Sequence, residues 1–241
     1  MSIQTSPRRV GRILALLSLT TIVGGVFAQG LVSNRLIVFS DPAATANNIL
    51  AHQGLFRLSF TIFLIEMICN VATSALWYVL LRPVNPPIAL VAAFVDLAGG
   101  ICKTFARVFY IAPLGLLLAS AGGAPAILYG FTPEQLQSMA LIFLKANGSG
   151  TQVAMAFFGV SVPLNGYLIF RSGFMPRWLG VLAMIAGLGW LTFIYPPLGS
   201  QLFNFTAPYG LLVAIIMIIW LLVRGVDEAK WKEQAGAVAL P

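Results

Sequence analysis

Apolar residues run along this chain in six blocks, and each approaches the roughly 20 residues that a helix needs to cross a bilayer core. The blocks fall at 11–31, 58–81, 88–112, 152–170, 178–194 and 209–223 and predict six spanning helices. The polar positions inside the blocks are patterned. In the second, Glu66, Asn70 and Thr73 recur at i, i+4 and i+7, with Ser74 beside them, so an otherwise apolar rod carries one polar stripe that must face inward. In the third, Asp96, Lys103 and Arg107 stand seven and eleven residues apart, spacings that return to nearly one face, while Gly99 and Gly100 remove bulk between them. Pro163 and Asn165 mark a kink in the fourth block, and Gly180, Gly187 and Gly189 predict close helix packing in the fifth.

The connecting segments carry their own signals. Asp41 before Pro42 reads as an N-cap and N1 pair, with Gly54 as the stop of a short surface helix. RPVNPP is a tight prolyl turn that makes the second and third helices antiparallel neighbours. In TPEQLQSMALIFLKANGSG, Thr132 and Gln135 form a capping box and Leu136, Met139, Ala140, Phe143 and Leu144 an apolar stripe, predicting a separate amphipathic helix on the outer membrane face. DEAKWKEQAGAVALP reads as a mobile cytoplasmic tail over 225–241.

A further apolar stretch, VFYIAPLGLLLASAGGAPAILYG, would allow seven spans, and charge decides against it. With six spans and a cytoplasmic N-terminus, nine basic residues lie inside (Arg8, Arg9, Arg12, Arg82, Arg171, Arg177, Arg224, Lys230, Lys232) and three outside (Arg35, Arg57, Lys145). A seventh would move Arg171 and Arg177 outside, against the positive-inside rule. The third helix is instead expected to run long and bend near Pro113. Arg8, Arg9 and Arg12 ahead of an apolar segment resemble a signal peptide, but the segment is longer than a usual h-region and reads as an uncleaved first span.

Composition agrees: 59% of the 241 residues are hydrophobic and 9% charged. The expectation is therefore an all-α, polytopic six-helix transmembrane bundle, a single domain over 1–241 with both termini cytoplasmic, in the inner (plasma) membrane of a bacterium. The lipid bilayer and a small lipophilic ligand are the partners expected. Nucleic acid is not, since the formal +7 charge sits at helix ends. Cys69 and Cys102 fit no disulfide framework and read as small hydrophobes in preference to a redox pair, and a lone His52 gives no metal site, so no cofactor is expected.

RVGRILALLSLTTIVGGVFAQG, SNRLIVFSDPAATANNILAHQGLFRLS, WYVLLRPVNPPIALVAAF, PEQLQSMALIFL and GYLIFRSGFMPRWLGVL, in this order, resemble a bacterial family of small multi-pass membrane proteins classed as a domain of unknown function, 4386. The resemblance implies a six-helix membrane fold. The family pattern tends to have an acid where this chain has Asn70 and an arginine where it has Asp96, so the charged set here is rearranged.

Candidate chemistry follows from the cost of burying charge in a membrane, several kcal/mol unless the group is paired or hydrated. Glu66 is expected at the depth of Lys103 and to neutralise it and Arg107, with Asp96 near Asn70, Thr73 and Ser74. Three readings remain open. The set, with Asn165, binds or moves a small lipophilic or protonatable ligand. Alternatively Glu66 or Asp96 is the general acid or base of a membrane enzyme acting on an isoprenoid-like substrate, although no Walker loop, Ser-x-x-Lys, nucleophile elbow or zinc motif is present. As a third, the charges only hold the helices of an accessory subunit together.

Overall fold

The computed structural model describes residues 6–119 and 130–238. Among them every regular element is helical. Six helices are long and apolar enough to cross a membrane: α1 (Pro7–Leu36), α3 (Gln53–Leu81), α4 (Pro86–Leu118), α5 (Pro133–Ser172), α6 (Arg177–Ile194) and α7 (Pro196–Val223). Two shorter ones complete the set, α2 (Pro42–Ala51) and α8 (Glu228–Val238). Ile68, Phe105 and Phe205 are 70%, 65% and 75% exposed, and large apolar side chains are exposed on every long helix. A soluble protein would not leave that surface to water, whereas lipid tails cover it at no cost. The chain is a multi-pass membrane protein.

The expected helix-start chemistry is present. The Asp41 carboxylate accepts from the Ala44 N–H at 2.9 Å, and Thr132 and Gln135 exchange side chain to backbone bonds at 2.8 and 3.3 Å. Gly54, however, is no stop: α2 ends at Ala51, and α3 begins at Gln53.

The amphipathic segment after Thr132 is likewise not a separate surface helix. It is the first third of α5, which has 40 residues, about 60 Å at ~1.5 Å per residue and roughly twice the ~30 Å hydrocarbon core. Continuity through ANGSG has a local cause. Ser149 and Thr151 hydroxyls bond back to the Lys145 and Asn147 carbonyls, and Gly150 admits Ala106, whose Cβ would stand 2.6 Å from a methyl group placed there. Its apolar stripe meets protein rather than lipid headgroups: Leu136, Ala140 and Leu144 are buried, and Phe143 stacks on Phe109 at 5.9 Å.

Two further helices extend past their apolar blocks, the third as expected. The third span continues through Pro113 to Leu118, and the sixth begins at Pro196, thirteen residues before the expected start near Tyr209, and passes through Pro208. The stretch that suggested a seventh span lies partly outside the described residues. Residues 225–241, expected as a tail, carry α8, where the Trp231 indole N–H donates to the Leu80 carbonyl at 2.8 Å.

The chain forms two compact units, each assembled from non-consecutive stretches: Met1–Thr21, Ile68–Ile101 and Gln152–Pro241 in the first, Ile22–Met67 and Cys102–Thr151 in the second. The first unit is organised by glycines at the contact of α5 with α6. A methyl group at Gly180 would fall 2.5 Å from the Gly166 carbonyl oxygen, and one at Gly187 would fall 2.8 Å from the Pro163 nitrogen and closer still to its ring, so the backbones themselves are in contact. The second unit is organised around Tyr110, which is fully buried, stacked on Phe56 at 4.6 Å and set edge-on to Phe63 at 5.1 Å. Its hydroxyl is bonded to Ser33 at 3.0 Å and Ser59 at 2.7 Å. Ser33 closes an eight-residue π-helical stretch of α1, Val26–Ser33, by donating to the Ala28 carbonyl five residues back.

Candidate functional site

In the second unit α3 contributes Glu66, α4 contributes Lys103 and Arg107, and α5 contributes Asn147. The i, i+4 spacing puts both cations on one side of α4, and the polar stripe of α3 turns Glu66 inward, so the pairing expected from depth is found. Lys103 Nζ donates to Glu66 Oε1 in a salt bridge whose side chains are 14% and 5% exposed. At Gly25 α1 passes beside the same carboxyl group, where a methyl group would make an ordinary contact 3.9 Å from Glu66 Oε1.

Arg107 is buried and differently held. Nη1 donates to Asn147 Oδ1 at 3.2 Å, and the guanidinium carbon sits 3.6 Å above the centre of the Phe63 ring. The Glu66 carboxylate lies within electrostatic reach of it. Two buried polar atoms of this group have no hydrogen-bond partner among the described residues, Glu66 Oε2 and Arg107 Nε. One acid and two bases leave a formal excess of one positive charge, in surroundings where an uncompensated charge costs about 2.5–3.5 kcal/mol or more.

Asp96 belongs to the first unit and has different partners. Its Oδ1 accepts from the Ser161 hydroxyl at 3.0 Å, and Oδ2 is bonded to Ser74. The Ser74 oxygen also lies 3.0 Å from the Asn70 carbonyl, and its single hydrogen serves one acceptor at a time. Thr73 donates to the Asn70 carbonyl rather than to Asp96. The Asn70 amide oxygen is buried without a hydrogen-bond partner and packs over Gly100, where a methyl group would stand 2.5 Å from it. Asn165 lines a cavity of the same unit. Both cysteines are free thiols.

The single constellation read from the sequence is thus resolved into a Glu66–Lys103–Arg107 group in one unit and an Asp96–Ser74–Ser161 group, with Asn70, Thr73 and Asn165, in the other. Sequence reasoning passed over Asn147 and Ser161. Asn147 stood at the end of the stretch read as a separate surface helix, beyond its apolar stripe. Ser161 carried a signal that can be recovered afterwards: it stands two residues before Pro163 and four before Asn165, on one stretch of α5.

Residues 13–225 match a family model described as Domain of unknown function (DUF4386), which spans most of the chain and both groups. The chain belongs to the DUF4386 family. Among relatives of this DUF4386 protein, an uncharacterized protein of Archaeoglobus fulgidus is 33% identical over 72 residues, 29% of this chain and 42% of the relative. The chain therefore covers less than half of that relative's length. No solved structure matches it.

Proposed function

We propose that this DUF4386 protein binds or moves a small lipophilic acid, held in ionised form by Lys103 and Arg107. The observation that carries this reading is the pair of buried, unpartnered atoms in a group with one cation too many. A carboxylate supplies the missing charge, and Arg107 still has its Nε–H to donate in a charge-assisted bond. Glu66 then tunes the site, keeping Lys103 in place and excluding strongly basic ligands. The saturable binding of radiolabelled octanoate to the full chain in lipid nanodiscs, after subtraction of empty discs, is the test. Lys103→Met is expected to weaken it at least about tenfold, or ~1.4 kcal/mol. Equal retention by wild type, variant and empty discs would refute the reading.

We also infer that the protein sits in a bacterial inner membrane with both termini cytoplasmic. The support is the clustering of Arg8, Arg9, Arg12, Arg224, Lys230 and Lys232 beside the two chain ends. Alkaline phosphatase fused to the C-terminus is expected to be inactive, and green fluorescent protein fused there to fluoresce. An active phosphatase would reverse the orientation.

A further inference from the structure

A partly open pocket of about 230 Å³ lies in the first unit, lined by α1, α3, α5, α6 and α7. Among the described residues no charged one lines it. Its walls are aliphatic, with the indoles of Trp77 and Trp190, the hydroxyl of Ser18 and the amide of Asn165 as the exceptions. Small residues open the space: Ala183 and Ala186 on α6, Gly210 and Ala214 on α7. Gly210 is required by the ring beside it, because a methyl group there would stand 2.8 Å from Trp190.

Size and chemistry together restrict what belongs here. The volume exceeds the roughly 150 Å³ of an apolar protein cavity that stays dry and takes benzene. Water is a poor occupant, since most of the lining offers no partner and a buried water needs two to four. A charged ligand would meet no counter-charge. Asn165 is half-buried in the wall of the pocket and makes no side-chain hydrogen bond to a described residue, which leaves the donor and acceptor of its amide open to a ligand. An apolar pocket with few convergent polar groups is the ordinary form of a small-molecule site.

We infer that this cavity is a binding site for an uncharged lipophilic alcohol or amide of about a dozen heavy atoms, its polar head bonded to Asn165 and its body between Trp77 and Trp190. The site is separate in residues and in ligand charge from the one that takes the acid.

The test is tryptophan quenching in lipid nanodiscs by 4-bromobenzyl alcohol, with 4-bromotoluene as the probe lacking the hydroxyl. Trp178, Trp220 and Trp231 do not line the cavity, so the protein with Trp77→Phe and Trp190→Phe reports only probe dissolved in lipid. In the full chain the alcohol is expected to quench saturably, and that component is lost in the double Trp→Phe protein and in Ala214→Leu, which fills the space. Asn165→Leu is expected to weaken the alcohol roughly three- to tenfold, the contribution of one hydrogen bond, while leaving 4-bromotoluene unchanged or tighter. Should Ala214→Leu not fold, Ala186→Leu fills the same cavity from α6. Quenching that never saturates, or that persists in the cavity-filled protein, overturns the site. Loss of both probes equally in Asn165→Leu overturns the assigned role of the amide.

Discussion

Glu66→Gln is expected to lower the unfolding free energy by about 3–5 kcal/mol, the cost of breaking a buried ion pair by removing one partner. The change takes the acid out of a group that keeps Lys103 and Arg107, leaving two like charges on adjacent turns of α4 in a low dielectric. Lys103→Met is not the mirror image. It leaves Glu66 facing Arg107, with which it already interacts, and the formal charges then sum to zero. That variant is expected to change stability by about 1 kcal/mol or less, since no uncompensated charge remains. Reversible unfolding in mixed detergent micelles, followed by tryptophan fluorescence, measures both.

Gly187→Ala is expected to cost about 3 kcal/mol or more, the upper range for overpacking, because the added methyl group meets the rigid ring of Pro163 and backbone cannot yield as a flexible side chain can. The same substitution at Gly148, also within a helix, meets nothing within 4 Å. There, Gly148→Ala is expected to stabilise by about 0.5–1 kcal/mol through the ordinary helix preference for alanine. One chemical change with opposite signs isolates the contact of α5 with α6 as the cause, and the same unfolding assay reads it. A matching loss at both positions would show that glycine content, not contact, sets the tolerance.

These glycines show what could and could not be read from the sequence. The six spans were legible because in lipid a helix must satisfy its own backbone, so its minimum length appears directly as an apolar run. Asp41 and the Thr132–Gln135 pair were legible because capping is chemistry between residues three apart. Whether a glycine ends a helix or admits a neighbour depends on what lies across from it. Gly150 lies where the separate surface helix was expected to give way to the fourth span, and it is the place where Ala106 enters. With the helix continuous there, Ala140 and Leu144 of the stripe pack in the core around Tyr110 and need no membrane surface.

Site chemistry was legible to the extent that it followed helix periodicity. Glu66 and Lys103 could be brought to one level from the antiparallel turn and the rise per residue alone. Asp96 was placed near Asn70, Thr73 and Ser74, and the Ser74 contact is present, but spacing along α3 and α4 says nothing of the Ser161 hydroxyl that α5 brings to it. Ser161 and Asn147 come from α5, whose register against α3 and α4 no local pattern encodes.

Lys103, on the proposed function, is retained for a ligand and not for folding. The measurement that tests it most directly is the unfolding free energy of Lys103→Met beside Glu66→Gln and the double variant. The account predicts that Lys103→Met is within about 1 kcal/mol of wild type, that Glu66→Gln is lower by several, and that the double variant recovers only part of that loss because Arg107 is still unpaired. Equal and large losses in the two single variants, with recovery to wild type in the double, would contradict it and make Glu66–Lys103 a purely structural ion pair.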